Sequence, residues 1–171
     1  MGKGCIIAGT PYIKKERGSR MTLGDDVILH SIRKFNPLLQ KRLSLITLMP
    51  GASIELHSHC AVGGCIIEAC SKITIGEYTI VGPGTVIYDA KEHEYDSVFG
   101  WRERRARSGQ PITIGKRCYI GMNCIILKGV TIGDDCVIGA GSIVKNDVPS
   151  GHIIQSAPCV SNLLPEHLRQ S

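Results

Sequence analysis

The sequence predicts an all-β parallel helix, a column in which short strands coil around one axis. The main observation is a six-residue period over residues 112–144, which matches neither an α-helix nor the simple alternation of a strand. Glycine directly follows four of the six aliphatic anchors, and a small or β-branched residue stands four places after five of them. The anchors are Ile114, Ile120, Ile126, Ile132, Ile138 and Val144.

Each repeat supplies one short strand and one tight corner, and three strands close a triangular coil. One coil cannot bury its own inner face, so several coils must stack. Cys118, Cys124 and Cys136 occupy the small inward position of the repeat, as does Cys60 in an earlier one. Because buried cysteine behaves as a small hydrophobe, we expect reduced core thiols and a reducing compartment.

Taken in chain order, the 171 residues form a single predicted domain. Residues 1–20 are expected to form a leading strand and loop, residues 21–158 the column, and residues 159–171 a tail that could form a short helix. Within the column, the segment 31–50 breaks the period and is predicted to be an excursion between early coils. Further anchors precede the regular run: Leu23, Leu29, Leu56, Val62, Ile75, Val81 and Ile87.

The regular stack is interrupted once more, at residues 88–111, by a polar segment predicted to be a long projecting loop. It contains His93, the only tryptophan of the chain and a cluster of four arginines between positions 102 and 107. Loops carried in this way on a rigid scaffold often bear function.

Charge and hydropathy limit the classes of partner that the chain is expected to bind. The net charge of +5 is modest, and no continuous basic face or nucleic-acid motif accompanies it, so nucleic-acid binding is not expected. No stretch approaches the roughly 20 apolar residues of a membrane span, and the N-terminus lacks the layout of a signal peptide. A cytoplasmic protein is the expectation.

The stretches NPLL, MPGASIEL, GGCII and IGMNCIILKGVTIG resemble the hexapeptide-repeat acyltransferases of the left-handed parallel β-helix class. Within that superfamily the chain is most similar to sugar and capsular-polysaccharide O-acetyltransferases of the galactoside and maltose acetyltransferase type. The resemblance implies the left hand of the helix, acetyl-CoA as donor and a sugar-type hydroxyl as acceptor. It also implies a homotrimer with each site between adjacent columns, and direct transfer without a covalent acyl-enzyme.

The resemblance also implies residue roles. In these enzymes a loop histidine in a D-x-D-x-H setting is the general base, which corresponds here to His93 with Asp89 as its orienting partner; Lys91 replaces the middle acid. Histidine suits this task because it titrates near neutral pH. The residues implied in coenzyme A binding are Gly121, Met122, Asn123, Gly139, Ala140, Ser142 and Lys145.

Two alternatives stay open on the sequence. An amino sugar or serine as acceptor would change the product without changing the chemistry. A metal-bearing protein of the γ-carbonic-anhydrase type, or a non-catalytic β-helix, would leave His93 without a role. His57 and His59 form an H-x-H pair, but no pair of histidines stands about five apart on one coil as in that family. We therefore expect both to be surface or interface residues, with no metal site.

Overall fold

The computed structural model describes residues 1–32 and 42–155, with only the backbone described for residues 92, 94–96 and 101–107. The regular structure of this part of the chain consists of strands, in three parallel sheets and one two-stranded antiparallel sheet. The three parallel sheets are the faces of a triangular column, which confirms the predicted fold class. The predicted tail, residues 159–171, lies outside the described residues.

The strands are numbered along the chain, and each coil gives at most one strand to each face. Face A contains β1 (Ile6–Gly9), β4 (Ile28–Ser31), β7 (Ala61–Gly63), β10 (Ile80–Val81), β15 (Tyr119–Ile120), β18 (Val137–Ile138) and β20 (Ile153–Ile154). Face B contains β2 (Tyr12–Lys14), β5 (Ser44–Thr47), β8 (Ile66–Ala69), β11 (Val86–Tyr88), β16 (Ile125–Leu127) and β19 (Ile143–Val144). Face C contains β3 (Arg20–Leu23), β6 (Ser53–Leu56), β9 (Lys72–Ile75), β14 (Ile112–Ile114) and β17 (Thr131–Ile132).

The predicted anchors stack directly on one another inside the column. On face C, for example, Ile75 pairs with Ile114, and Ile114 pairs with Ile132. All six anchors of the regular run are at most 4% exposed. Coils are numbered from the N-terminus, so that β1 to β3 make coil 1, while β10, β11 and β14 make coil 4.

The column starts earlier than the six-residue period indicates. Strands β1, β2 and β3 pair in parallel with β4, β5 and β6, so residues 6–23 make a complete first coil. Strand β5 likewise belongs to face B, although the segment 31–50 lacks the period. The strands of coils 1 and 2 have three or four residues, whereas those of coils 5 and 6 have two or three. Longer strands break the hexad spacing without breaking the stack.

The corners explain the glycines of the repeat. At the edge between faces C and A, called edge CA, a methyl group on Gly76 would approach the backbone of the next coil to 2.5 Å, and one on Gly115 to 2.6 Å. Two residues after the corner glycine, the chain adopts a left-handed φ of +54° at Arg117 and +59° at Asp135. At Gly76 and Gly115 the close stacking of coils therefore requires glycine.

The residues at the small inward positions also make hydrogen bonds, which the sequence did not reveal. Their thiols and hydroxyls donate hydrogen bonds to corner carbonyl groups of the next coil, which have to be satisfied inside the column. These bonds run from Cys60 Sγ to Gly76 O (2.9 Å), Thr79 Oγ1 to Gly115 O (2.8 Å), Cys118 Sγ to Gly133 O (3.1 Å) and Cys136 Sγ to Pro149 O (3.1 Å).

Burial keeps the thiols of Cys60 and Cys65 protonated. It raises the pKa of Cys60 to about 11 and that of Cys65 to about 12, so neither is a thiolate at neutral pH. Both are free and buried. Cys118, Cys124 and Cys136 are buried too, which confirms that the cysteines at the small inward positions belong to the core.

Candidate functional site

The polar segment predicted as a loop is largely an antiparallel hairpin. It comprises β12 (Ala90–Asp96) and β13 (Gly100–Gly109), and it leaves the column after β11, at the edge between faces B and C of coil 4. This edge is called edge BC. The register places Glu94 opposite Arg102, so the acidic first strand and the arginine-rich second strand have complementary charge. His93 lies on β12 opposite Glu103, and its side chain is exposed.

Asp89 holds the root of this hairpin. Its side chain is fully buried, and its two carboxylate oxygens accept hydrogen bonds from the N–H groups of Cys70 (2.6 Å) and Ser71 (2.9 Å) in coil 3. Its own carbonyl accepts the N–H of Gln110, where the chain returns (2.8 Å). Burial raises the pKa of the Asp89 carboxyl above its usual value, and the backbone donors oppose that rise.

This geometry gives Asp89 a positioning role for the strand that carries His93. Four residues of extended chain separate the two, a span of roughly 13 Å at 3.3 Å per residue. The carboxylate is engaged by backbone amides at the column, whereas His93 stands out on the hairpin. The direct hydrogen bond between Asp89 and His93 stays a prediction.

We expect Asp89→Asn to destabilise the protein by about 1 to 3 kcal/mol, because the new amide would turn a donor toward one of two backbone donors. Thermal unfolding of the variant measures this loss. Asp147→Asn is the matched control, since Asp147 also accepts a backbone N–H, that of Thr131, but is exposed. Equal destabilisation by both substitutions would contradict the special role of Asp89.

The structure brings most of the predicted coenzyme A residues together. Residues 121–123 and 139–141 form the corners that follow β15 and β18, one above the other on the edge between faces A and B, called edge AB. The Gly121 N–H donates to Ile138 O (2.7 Å) and the Gly141 N–H to Met122 O (2.8 Å). Ser142 is buried, and its hydroxyl donates to Gly139 O (2.6 Å).

Two corner N–H groups of edge CA are capped by a side chain of the next coil: that of Lys116 by Asp134 Oδ1 (2.8 Å) and that of Asp134 by Ser150 Oγ (3.0 Å). Glu77, one coil earlier on the same edge, has no such cap among the described residues. On edge AB the equivalent residue is Met122, and the next coil offers only the methyl group of Ala140. Within the described residues the Met122 N–H has no acceptor.

Lys145 lies apart from this group. It follows β19 and is exposed at edge BC, two coils beyond the coil from which the hairpin leaves. Face B therefore separates the corners at 121 and 139, on edge AB, from Lys145 and the hairpin on edge BC. In a single chain, His93 and residues 121–123 belong to different edges of the column.

The outer surfaces of the faces differ strongly in polarity, a feature that the sequence reasoning missed. On face A an unbroken ladder of apolar residues points outward, and five of its members are 37% to 65% exposed. Face C carries threonine and glutamate at its outward positions. The sequence does contain this information, because the residue directly before each inward anchor of face A is apolar. The ladder on face A is Ile6, Ile28, Ala61, Ile80, Tyr119, Val137 and Ile153.

The H-x-H pair does not converge on one point. His57 occupies the glycine position of the coil 3 corner and is exposed. The ring of His59 stacks on Tyr78 with 4.5 Å between centroids, and its Nδ1 lies 3.6 Å from Asp26 Oδ2. The described residues contain no group of three potential metal ligands. They also contain no helix long and apolar enough to cross a membrane.

Comparison with known proteins agrees with this architecture. Residues 111–146 match the family model described as the hexapeptide repeat of succinyl-transferase. The chain is 37% identical over 166 residues to Nodulation protein L of Rhizobium meliloti (strain 1021), an alignment that covers 90% of this chain and 84% of that protein.

Solved structures share the fold at lower identity. The acetyl-CoA complex of the hexapeptide-repeat acetyltransferase VCA0836 from Vibrio cholerae superposes with a TM-score of 0.56 at 23% identity, covering 91% of this chain and 68% of that one. The N-acyltransferase AntD from Bacillus cereus gives a TM-score of 0.65 at 16% identity, covering 90% and 76%. With the repeat, the stacked column and the extended similarity to Nodulation protein L, the chain belongs to the hexapeptide-repeat acyltransferases of the left-handed parallel β-helix class, enzymes that take their acyl group from a coenzyme A thioester.

Proposed function

We propose that the protein is an acetyl-CoA-dependent O-acetyltransferase that acts on a hydroxyl of a sugar or a cell-surface polysaccharide precursor. The observation that carries the proposal is the pair of stacked corners 121–123 and 139–141 on edge AB, where only the methyl group of Ala140 adjoins the uncapped Met122 N–H. The pantetheine arm of coenzyme A contains amide carbonyl groups, which are suitable acceptors for a backbone donor. The acetyl-CoA complex of VCA0836 supports acetyl-CoA as the donor.

The proposed chemistry assigns His93 as the general base. Its neutral imidazole takes the proton of the acceptor hydroxyl while the oxygen attacks the carbonyl carbon of the thioester. The carbon–sulfur bond then breaks, and the imidazolium returns the proton to the departing thiolate. The described cysteines that burial keeps protonated cannot compete as nucleophiles, which supports direct transfer.

A homotrimer would bring the separated parts of this site together. In one chain the hairpin leaves edge BC and the donor corners lie on edge AB, so the hairpin of one protomer facing edge AB of the next would complete a cleft. The apolar ladder of face A supports such contacts, because an exposed apolar strip of this length favours burial against a partner. On face B, Ile125, Leu127 and Ile143 are also exposed.

We expect Tyr119→Lys to dissociate the assembly, because it would place a charge in the middle of the face A ladder. Light scattering of the purified protein measures the mass. Thr113→Lys is the matched control: it introduces the same residue in the adjacent coil 4, on the polar face C, and is expected to leave the mass unchanged. A wild-type protein that is monomeric, or a trimer that tolerates Tyr119→Lys, would contradict this arrangement.

The function is tested by release of free thiol from acetyl-CoA in the presence of different acceptors. The panel comprises maltose and a tetramer of N-acetylglucosamine as hydroxyl acceptors, with glucosamine and serine as the alternatives. Mass spectrometry then locates the acetyl group on oxygen or nitrogen. Transfer to a sugar oxygen supports the proposal, transfer only to an amine supports the N-acetylating alternative, and no transfer to any of them contradicts both.

A cytoplasmic location is part of the proposal. It is supported by the chemistry of the cysteines, since seven of them are free in the structure and six of those are buried.

A further inference from the structure

His30 is an unexplained polar residue on the outer surface of face A. It lies on β4 in coil 2, next to the inward-pointing Leu29, so the alternation of the strand turns its imidazole outward. Its strand neighbours are Ala8 in coil 1 and Gly63 in coil 3. The Nδ1 atom is nevertheless buried, and it makes no hydrogen bond with any residue that the structure describes.

The missing hydrogen-bond partner of the buried His30 Nδ1 needs a physical explanation. A buried polar atom left without a partner costs about 1 to 3 kcal/mol, and buried polar groups in proteins are nearly always hydrogen-bonded. Neither the coil stacking nor the proposed base and donor contacts use His30. Its carbonyl group is part of the stack, since it accepts the N–H of Gly64 (3.0 Å). The imidazole takes no part in that bond.

The position of His30 along the column is informative. Following its place in the strand register through later coils leads to Gly63, Gly82, Gly121 and Gly139, which all begin corners on edge AB. From coil 2 to coil 6, the other members of this row are glycines, and His30 has a side chain. It stands at one end of the row, and the proposed donor corners at Gly121 and Gly139 stand at the other.

The proposed direction of the donor places the acceptor near His30. If residues 139–142 contact the distal part of coenzyme A and residues 121–123 its pantetheine arm, the thioester points toward coil 4, from which the hairpin with His93 leaves. Coil 2 lies two coils further, roughly 10 Å at about 4.8 Å per coil. This distance is of the order of one or two sugar rings, so an acceptor that meets the thioester would extend over Gly63 to His30.

We propose that His30 Nδ1 hydrogen-bonds a hydroxyl group of a sugar acceptor, on a ring beyond the one that is acetylated or on its far side. The inference rests on the proposed function. A neutral imidazole nitrogen either donates or accepts, and a hydroxyl group does both, so the two match in either tautomer. His30 is thus an acceptor-binding residue that no role in the column or in donor binding requires.

The test compares three substitutions at His30 with one at His57, using the hydroxyl acceptor of the panel that reacts fastest. His30→Leu is expected to raise the KM for the acceptor about tenfold, the value of one lost hydrogen bond, and to leave the KM for acetyl-CoA unchanged. His30→Asn presents an amide close to the place of Nδ1 and is expected to restore most of the affinity. His30→Gln extends the amide toward the place of Nε2 and should not.

Thermal unfolding separates binding from structure. Because His30→Leu removes an unpaired buried polar atom, its Tm should not fall. His57→Leu, which changes an exposed histidine at the corner of coil 3, is the matched control and should alter neither KM. An unchanged acceptor KM in His30→Leu, an equal rise in both KM values, or a lower Tm without rescue by His30→Asn would each overturn the inference.

The outcomes distinguish this inference from the proposed function. If the wild-type protein transfers acetyl groups to a sugar and His30→Leu behaves like wild type, only the role of His30 fails. If the wild-type protein transfers nothing to any hydroxyl acceptor, the proposed function and this inference fail together.

Discussion

His93→Ala is expected to lower kcat for acetyl transfer by about 10²- to 10⁴-fold, the usual contribution of a general base. The acceptor hydroxyl is a weak nucleophile, and without the imidazole its proton has no acceptor close to neutral pH. Binding of acetyl-CoA should be unaffected, since the contacts proposed for the donor are made by the corners at 121 and 139 and not by His93. Steady-state kinetics and calorimetric titration with coenzyme A measure the two effects separately.

A second histidine provides the control for this result. His152 is exposed in the corner before β20, and its ring Nδ1 lies 3.1 Å from Ser150 O. His152→Ala should leave kcat unchanged. If His93→Ala turned over at the wild-type rate, or if both variants lost activity equally, His93 would not be the base, and the exposed hairpin would need another explanation.

Ala140→Asp is expected to weaken acetyl-CoA binding by about tenfold to 100-fold, because its carboxylate would cap the N–H of Met122 and occupy the place of the pantetheine arm. The substitution copies onto edge AB the arrangement already present on edge CA, where Asp134 Oδ1 accepts the N–H of Lys116 (2.8 Å). Calorimetric titration with acetyl-CoA measures the loss. The Tm should stay level or rise, since an uncapped donor gains an acceptor.

Two further variants separate capping from charge. Ala140→Asn supplies a similar acceptor without a charge, so it should also weaken binding; an effect confined to Ala140→Asp would point to repulsion of the phosphates instead. Asp134→Ala makes the reverse change, uncapping Lys116 on edge CA. It should lower the Tm and leave acetyl-CoA binding intact. Loss of binding in Asp134→Ala would contradict the assignment of the donor to edge AB.

Several features of the fold were predictable because they repeat. The hexad anchors, the corner glycines and the inward cysteines each recur in every regular coil, so residues such as Ile114 and Cys118 could be assigned from spacing alone. The first coil escaped this reasoning, because strands of four residues such as β1 shift the period. The parallel pairing of β1 with β4 nevertheless places the first coil in the stack.

The candidate site was predictable only in part. The resemblance selected His93, Asp89 and the corners at 121 and 139, and the structure places those corners on one edge. It also shows Asp89 accepting backbone N–H groups of coil 3, a contact across 18 residues that no local pattern indicates. The two charged strands of the hairpin were predicted to be a loop, because they pair only with each other and follow no repeat that spacing could reveal.

The repeating chemistry of the chain by itself determined the column, its hydrophobic interior and the corners at which glycine is needed, because each depends on residues a few positions apart. Only the tertiary structure decided which corner amides the next coil caps and which buried nitrogen has no partner. Those properties depend on what lies one coil above or below, about 18 or more residues away along the chain. Spacing along the sequence reports a position in the repeat, whereas a binding site is built from the differences between coils.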